Sequence, residues 1–198
     1  MVTPRWRIRE TDPDTVAREL AVFDLASRFF DECVPLTYPI FGADGHDARP
    51  CGFARFDVIG ATAHELGDDL LRTVRTDRSI KGIADMVLLD LVTQNADRHG
   101  NNWLVGQHGA IWAIDNELAM GNTHPGRRWA LRPAYRACLL DDMAWTRRFG
   151  DHLVRRIDML SFDRRFGDAL AELDLEFDVK AAREWASEIA CPSSTGII

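Results

Sequence analysis

The sequence predicts an α+β domain with its strands gathered towards the front and helices dominating the rest. Three observations carry that prediction. Two β-type runs, residues 35–40 and 51–58, follow an amphipathic stretch that opens on Asp12-Pro13. Ile80, Ile83, Ala84, Val87, Leu88 and Leu91 repeat at the i, i+3, i+4, i+7 spacing of a helix with one buried face. Two apolar runs, 103–105 and 110–114, surround Gly106-Gln107-His108-Gly109, which reads as a hairpin turn.

Taken in order, residues 1–9 offer a first strand bearing Arg5, Arg7 and Arg9. Asp12 is a good cap and Pro13 suits the first helical turn, so a helix begins there, with Val16, Leu20, Phe23 and Phe30 on its apolar stripe. Glu19 lies inside that helix and, read from its position alone, is a solvated helix charge. The two strands follow, separated by a polar loop over 42–50. The central helix starts near Ile80 and ends near Gln94. After the hairpin, residues 139–190 read as amphipathic helices, with Met143, Phe149, Leu153, Ile157 and Leu160 inward. The last residues, 192–198, read as a mobile tail.

Composition narrows the function classes. At 198 residues and 46% hydrophobic residues the chain can bury a sizeable core as one domain. A net charge of −7 argues against general nucleic-acid binding, which needs a basic footprint. No apolar run is long enough for a membrane span, and residue 1 does not open a signal peptide. Cys33, Cys51, Cys138 and Cys191 are scattered, with no metal pair and no disulfide framework, so a cytoplasmic location is expected.

The chemistry concentrates in Asn95-Ala96-Asp97-Arg98-His99-Gly100-Asn101-Asn102, on the loop after the central helix. A hairpin folds its ends together, so Asn102 and Asp115 should arrive at one place beside Asp97. Phosphoryl transfer uses such groups: a carboxylate to orient the attacking hydroxyl, an amide oxygen on magnesium, and a second carboxylate bridging metal and ATP phosphates. Magnesium favours oxygen ligands of this kind. A turn would also use Asn, Asp and Gly, but the conjunction of helix, loop, hairpin and terminal aspartate favours catalysis. His99 reads equally as a loop-satisfying histidine or as a direct participant. A transition-metal site from His99, His108, His124 and Asp115 is disfavoured by their irregular spacing.

The order Asn-x-Asp-Arg-His-x-x-Asn, followed by a strand pair and Ile-Asp, resembles the catalytic and metal loops of atypical kinases. Both the phosphatidylinositol 3-/4-kinase group and the HipA-type kinases share it. The resemblance implies a protein-kinase-like fold with a reduced small lobe and hinge over about 1–63 and a mostly helical large lobe over about 64–198. It implies ATP and Mg as cofactors, Asp97 as catalytic base with His99 beside it, and Asn102 and Asp115 as metal ligands. Glu19 takes the place of the helix glutamate that pairs with a strand lysine. Asp57 and Ile59 fall in the hinge that meets adenine, and Arg7 is a candidate phosphate-holding cation. Asn116 departs from the lipid kinases, which have Phe before Gly there.

What the resemblance leaves unmatched is equally informative. No glycine-rich loop precedes the Glu19 helix, and no lysine precedes Lys81. Arginine is not a simple lysine substitute, yet it can hold phosphate oxygens. The expected activity is phosphate transfer to a hydroxyl of a protein Ser/Thr or small molecule, less favourably an inositol lipid. The alternatives are a catalytically weak pseudokinase or half of a split kinase, with a partner chain completing the small lobe; nucleotidyl or another ATP-driven transfer on the same fold is a third. An exposed apolar or strand-edge surface is expected around Trp6 and Ile8. Downstream, Arg127, Arg128, Arg132 and Arg136 could hold a phosphate-bearing substrate or simply face solvent.

Overall fold

A computed structural model describes residues 5–30, 33–42, 49–95, 97–120 and 142–191. The arginine-rich segment at 121–136, Cys138 and the tail lie outside the described residues. The architecture is mixed α and β.

The first strand, β1 (Trp6–Glu10), leads into helix α1 (Pro13–Phe29). Asp12 caps that helix as expected: its carboxylate accepts the Thr15 N–H at 2.9 Å, with Pro13 opening the first turn. Strands β2 (Thr37–Phe41) and β3 (Pro50–Phe56) complete an antiparallel sheet in the order β1-β3-β2. Its register sets Trp6 against Phe56, Arg7 against Arg55, and Thr37 against Arg55 from the other side.

Strand alternation gives this sheet two unlike faces. Trp6, Tyr38 and Phe56 cluster on the outer one, where Trp6 packs edge-on to Phe56 with centroids 5.6 Å apart. Phe53 and Thr37 are buried on the inner one, against which α1 packs. Among the described residues β1 pairs only with β3, and Trp6 and Ile8 are exposed. The expectation of an open edge there is met.

Residues 57–59 connect β3 to a second antiparallel sheet, β4-β5-β6, made of β4 (Gly60–Thr62), β5 (Trp103–Gly106) and β6 (Ile111–Ala113). Two short helices, α2 (Ala63–Leu66) and α3 (Leu70–Thr73), precede the central helix α4 (Asp77–Val92). The helix starts three residues earlier than its apolar spacing alone suggests, because Thr76 caps it by accepting the Ser79 N–H at 3.1 Å.

Helix α4 organises the core. Ile80, Ile83, Met86, Leu88, Leu89 and Val92 are buried around its circumference, so it is enclosed on several sides. It packs on β6 and on α5 (Met143–Phe162), which in turn packs on α7 (Val179–Ala190), with α6 (Arg164–Glu172) between them in sequence. Gly82 permits the approach of the hairpin: a Cβ there would lie 2.9 Å from the Ile111 side chain. A single Gly82→Ala change would therefore push β6, and Asp115 just after it, off the helix. Of the cysteines, Cys33 is buried and Cys51 and Cys191 are exposed, all as free thiols. Among the described residues no helix is long and apolar enough to cross a membrane.

Candidate active site

The end of α4 builds the loop. Thr93 turns its hydroxyl back to the Leu89 carbonyl, and Gln94 takes a positive φ of 54°, which ends the helix. The Asn95 amide oxygen then accepts the Asp97 N–H at 3.0 Å, a turn that asparagine makes with its own side chain. Asn102 closes the loop: its amide nitrogen donates to the Asp97 carbonyl at 2.9 Å and to the Asp97 carboxylate at 3.3 Å. The amide nitrogen is thus used inside the protein, and no hydrogen bond to the amide oxygen occurs among the described residues. That oxygen is the atom a cation would need.

Asp97 and His99 stand together at the surface of the loop. His99 Nε2 lies 3.7 Å from the Asp97 carboxylate, and His99 Nδ1 accepts the Asn101 N–H at 3.2 Å. A ring that accepts at Nδ1 carries its proton at Nε2, the nitrogen facing Asp97.

Arg98, between them in sequence, points the opposite way. It is buried, and its fork reaches both Asp90 oxygens, the Asn102 carbonyl, the Ile114 carbonyl and the Asn116 side-chain oxygen. One guanidinium therefore ties the end of α4 to the loop and to both strands of the hairpin. Burial raises the Asp90 carboxyl above its ordinary range, and the Arg98 charge pulls it back.

The Ile114 N–H donates to the Asn102 carbonyl at 2.9 Å, which extends the hairpin pairing to the motif itself. Asp115 follows with a positive φ of 59°. That value interrupts strand alternation at this residue, and aspartate tolerates it better than most side chains. Asn116 is fully buried and docks on α1: its N–H and its amide nitrogen donate to the two Glu19 oxygens at 2.7 and 3.1 Å. Burial raises the Glu19 carboxyl, with the charge of Arg55 and the Asn116 hydrogen bonds opposing it. Glu19 is thus no solvated helix charge. The Asn116 departure from the lipid-kinase pattern has a local reason, since a Phe there would keep the backbone bond to the glutamate and lose the side-chain one.

The inner face of the first sheet meets this cluster with arginines. Arg9 reaches Asp115 at 3.4 Å and Glu117 at 2.8 Å. Arg7 pairs with Asp57 at 2.7 Å while remaining 71% exposed. Ile59 is also exposed and lines, with Asp57, Arg78, His108 and Trp112, a cleft of about 840 Å³. Asp97, Asn102 and Asp115 do not line that cleft. The structure thus links Asp97, His99 and Asn102 within the loop, ties Glu19 to Asn116 beside Asp115, and pairs Arg7 with Asp57 apart from these contacts.

Among the described residues no group of three His, Cys, Asp or Glu side chains gathers as a metal centre. Asn102 and Asp115 supply two oxygens, a donor set that fits magnesium, which keeps several waters and takes further oxygens from a phosphate substrate. Sequence reasoning gave Arg98 and Arg55 no role and marked Asn116 only as a departure from the family pattern. A permanent charge inside a motif flanked by apolar runs was the available signal for Arg98.

A family model described as phosphatidylinositol 3- and 4-kinase matches residues 64–134. The matched stretch runs from α2 through α4, the loop and the hairpin, and supports an affiliation with the PI3/4-kinase-like kinase superfamily. No curated protein matches the chain.

Proposed function

We propose that the chain is an ATP- and Mg-dependent phosphotransferase acting on a hydroxyl of a protein or small molecule, built as a protein-kinase-like domain. The observation that carries this reading is the coupling of Asp97, Asn102 and Asp115 through one loop and one hairpin, inside the stretch that the lipid-kinase model matches. HipA-type kinases share the motif order and widen the range of acceptors to protein hydroxyls.

Each residue has a role in this reading. Asp97, partly exposed, accepts a hydrogen bond from the acceptor hydroxyl and takes its proton as the phosphorus–oxygen bond forms. His99 presents its Nε2 proton towards the Asp97 carboxylate and orients it. Asn102 and Asp115 hold magnesium, which when bound would neutralise charge on the transferred phosphoryl group. Glu19 fixes Asn116, and through it the backbone beside Asp115. Arg7, Asp57 and Ile59 stand on the nucleotide side.

Much of the catalysis in such a site is positioning, which requires groups that are already held before substrate arrives. Asp97 meets that requirement, because Asn95, Asn102 and His99 each touch it.

A second reading has its own support. The edge of β1, unpaired among the described residues, and the exposed Trp6 and Ile8 favour a weakly active module completed by a partner chain. Transfer of γ-phosphate from ATP, assayed on wild type and Asp97→Asn, decides between them. Magnesium-dependent turnover that vanishes in Asp97→Asn supports the enzyme, whereas equal turnover in both defeats it.

A further inference from the structure

Among the described residues Arg55, on the inner face of β3, has no hydrogen-bond or ion-pair partner, unlike its neighbours Arg7 and Arg9. Strand β3 places it two residues after Phe53, on the same face as that buried ring. Its register partners are Arg7 on β1 and the buried Thr37 on β2. Arg7 and Arg9, from the same face, are both committed: Arg7 to Asp57 at 2.7 Å, Arg9 to Asp115 at 3.4 Å and Glu117 at 2.8 Å. Arg55 is partly buried, yet among the described residues its guanidinium makes no hydrogen bond and no ion pair.

The carboxylates near Arg55 do not fill that need. Glu19 and Asp115 both lie within electrostatic reach of it, and both favour its charge. Glu19, however, has each oxygen held by Asn116, and Asp115 faces Arg9. Burial works against the Arg55 charge, as the loss of water around a cation must. A guanidinium drawn out of water without hydrogen bonds is costly unless something supplies acceptors. Five donors in a planar fork match phosphate oxygens in particular.

We propose that Arg55 is the phosphate-binding cation of this site, gripping the polyphosphate of a nucleoside triphosphate from β3. The assignment rests on the phosphotransferase reading for the identity of the nucleotide. It rests on the sheet geometry and on the committed neighbours of Arg55 for the choice of residue. Position on β3 also explains why Glu19 is tied to Asn116: the glutamate contributes charge near the fork without occupying it, so the fork stays available.

The test is a binding titration on the full 198-residue chain with magnesium, using three probes: ATP, adenosine and inorganic tripolyphosphate. Arg55→Met should weaken ATP and tripolyphosphate by about 10- to 100-fold, the range for losing hydrogen bonds to a charged group, and leave adenosine unchanged. Arg55→Lys should restore part of the loss. Arg72→Met, an exposed arginine paired with Asp69, removes the same net charge and should change none of the three.

Unchanged ATP affinity in Arg55→Met overturns the proposal, as does an equal loss for ATP and adenosine, which would mark Arg55 as merely structural. If Arg55→Met does not fold, Arg55→Lys decides alone: weaker ATP with intact adenosine supports the assignment, and wild-type affinity for both overturns it. Arg55-dependent tripolyphosphate binding without any phosphate transfer would leave Arg55 standing and remove the kinase reading. Intact transfer and ATP binding in Arg55→Met would do the reverse. Wild type that binds no polyphosphate at all would overturn both.

Discussion

The two halves of the site hold their charges in opposite ways. On the loop and hairpin side, Arg98 is buried, all its contacts are to α4, the loop and the hairpin, and Asp97, Asn102, Asn116 and Glu19 follow from it in a continuous hydrogen-bonded chain. On the sheet side, Arg7 and Arg9 make ion pairs at the surface, with their side chains 71% and 47% exposed. Buried hydrogen-bonded networks rigidify a region, and exposed pairs do little to hold one. On the proposed reading the comparison separates the work: the catalytic loop is held by the core, while the nucleotide would meet a small sheet whose outer strands, β1 and β2, each pair on one side among the described residues.

The largest expected effect tests the chemical half. Asp97→Asn should lower phosphate transfer by about 10²- to 10⁴-fold, the usual contribution of a positioned general base. Its melting temperature should stay near wild type, because the Asn102 contact to the Asp97 carbonyl survives. A variant that keeps full turnover removes Asp97 from the mechanism.

Arg98→Met comes next and tests the rigidity directly. It leaves Asp90 as a buried, uncompensated carboxylate and strips donors from two carbonyls and Asn116. Breaking a buried pair in this way costs about 3–5 kcal/mol. Urea denaturation monitored by tryptophan fluorescence measures it, and a loss below about 1 kcal/mol, the size of a surface pair, would show that the network does not hold the loop.

Those two residues also show what was legible in the sequence. The central helix (read from near Ile80 to near Gln94, found at Asp77–Val92), the loop and the hairpin were readable because apolar periodicity and turn chemistry are local, and the motif sat between them. Glu19 was readable as a helix residue but its partner was not. The contact from Glu19 to Asn116 spans 97 positions and depends on how α1 docks over the hairpin. Arg55 was overlooked for the same reason. It lies in a run that reads simply as a strand, and only the β1-β3-β2 order reveals which face it shares with Phe53 and Arg7.

Glu19 gives a test in pH. Burial raises its carboxyl above the ordinary 4.5, so the folded chain holds that proton more tightly than the unfolded chain does. The favourable contribution is whole below 4.5 and is lost as pH rises through the folded pKa. Relative to Glu19→Gln, which cannot titrate there, wild type should therefore lose stability as pH rises from acid towards neutral. Urea midpoints of the two proteins across that range should diverge in this direction. Parallel profiles would mean that Arg55 and Asn116 cancel the burial effect.

The smallest effect belongs to Arg9, and its smallness is the point. Arg9 bridges Asp115 and Glu117, but all three side chains are more than a third exposed. Solvent and salt screen such pairs, and holding three long side chains in one geometry costs entropy, so the net gain is about 0–1 kcal/mol. Arg9→Met should accordingly leave the urea midpoint nearly unchanged. Its consequence should appear instead at Asp115, which loses its only ion-pair partner among the described residues and becomes a freer carboxylate. Magnesium titrations followed through nucleotide binding should show equal or slightly tighter metal dependence in Arg9→Met. If Arg9→Met instead destabilises the fold as strongly as Arg98→Met does, the sheet is locked to the hairpin through Arg9, and the contrast between a rigid chemical half and a loosely held nucleotide half is mistaken.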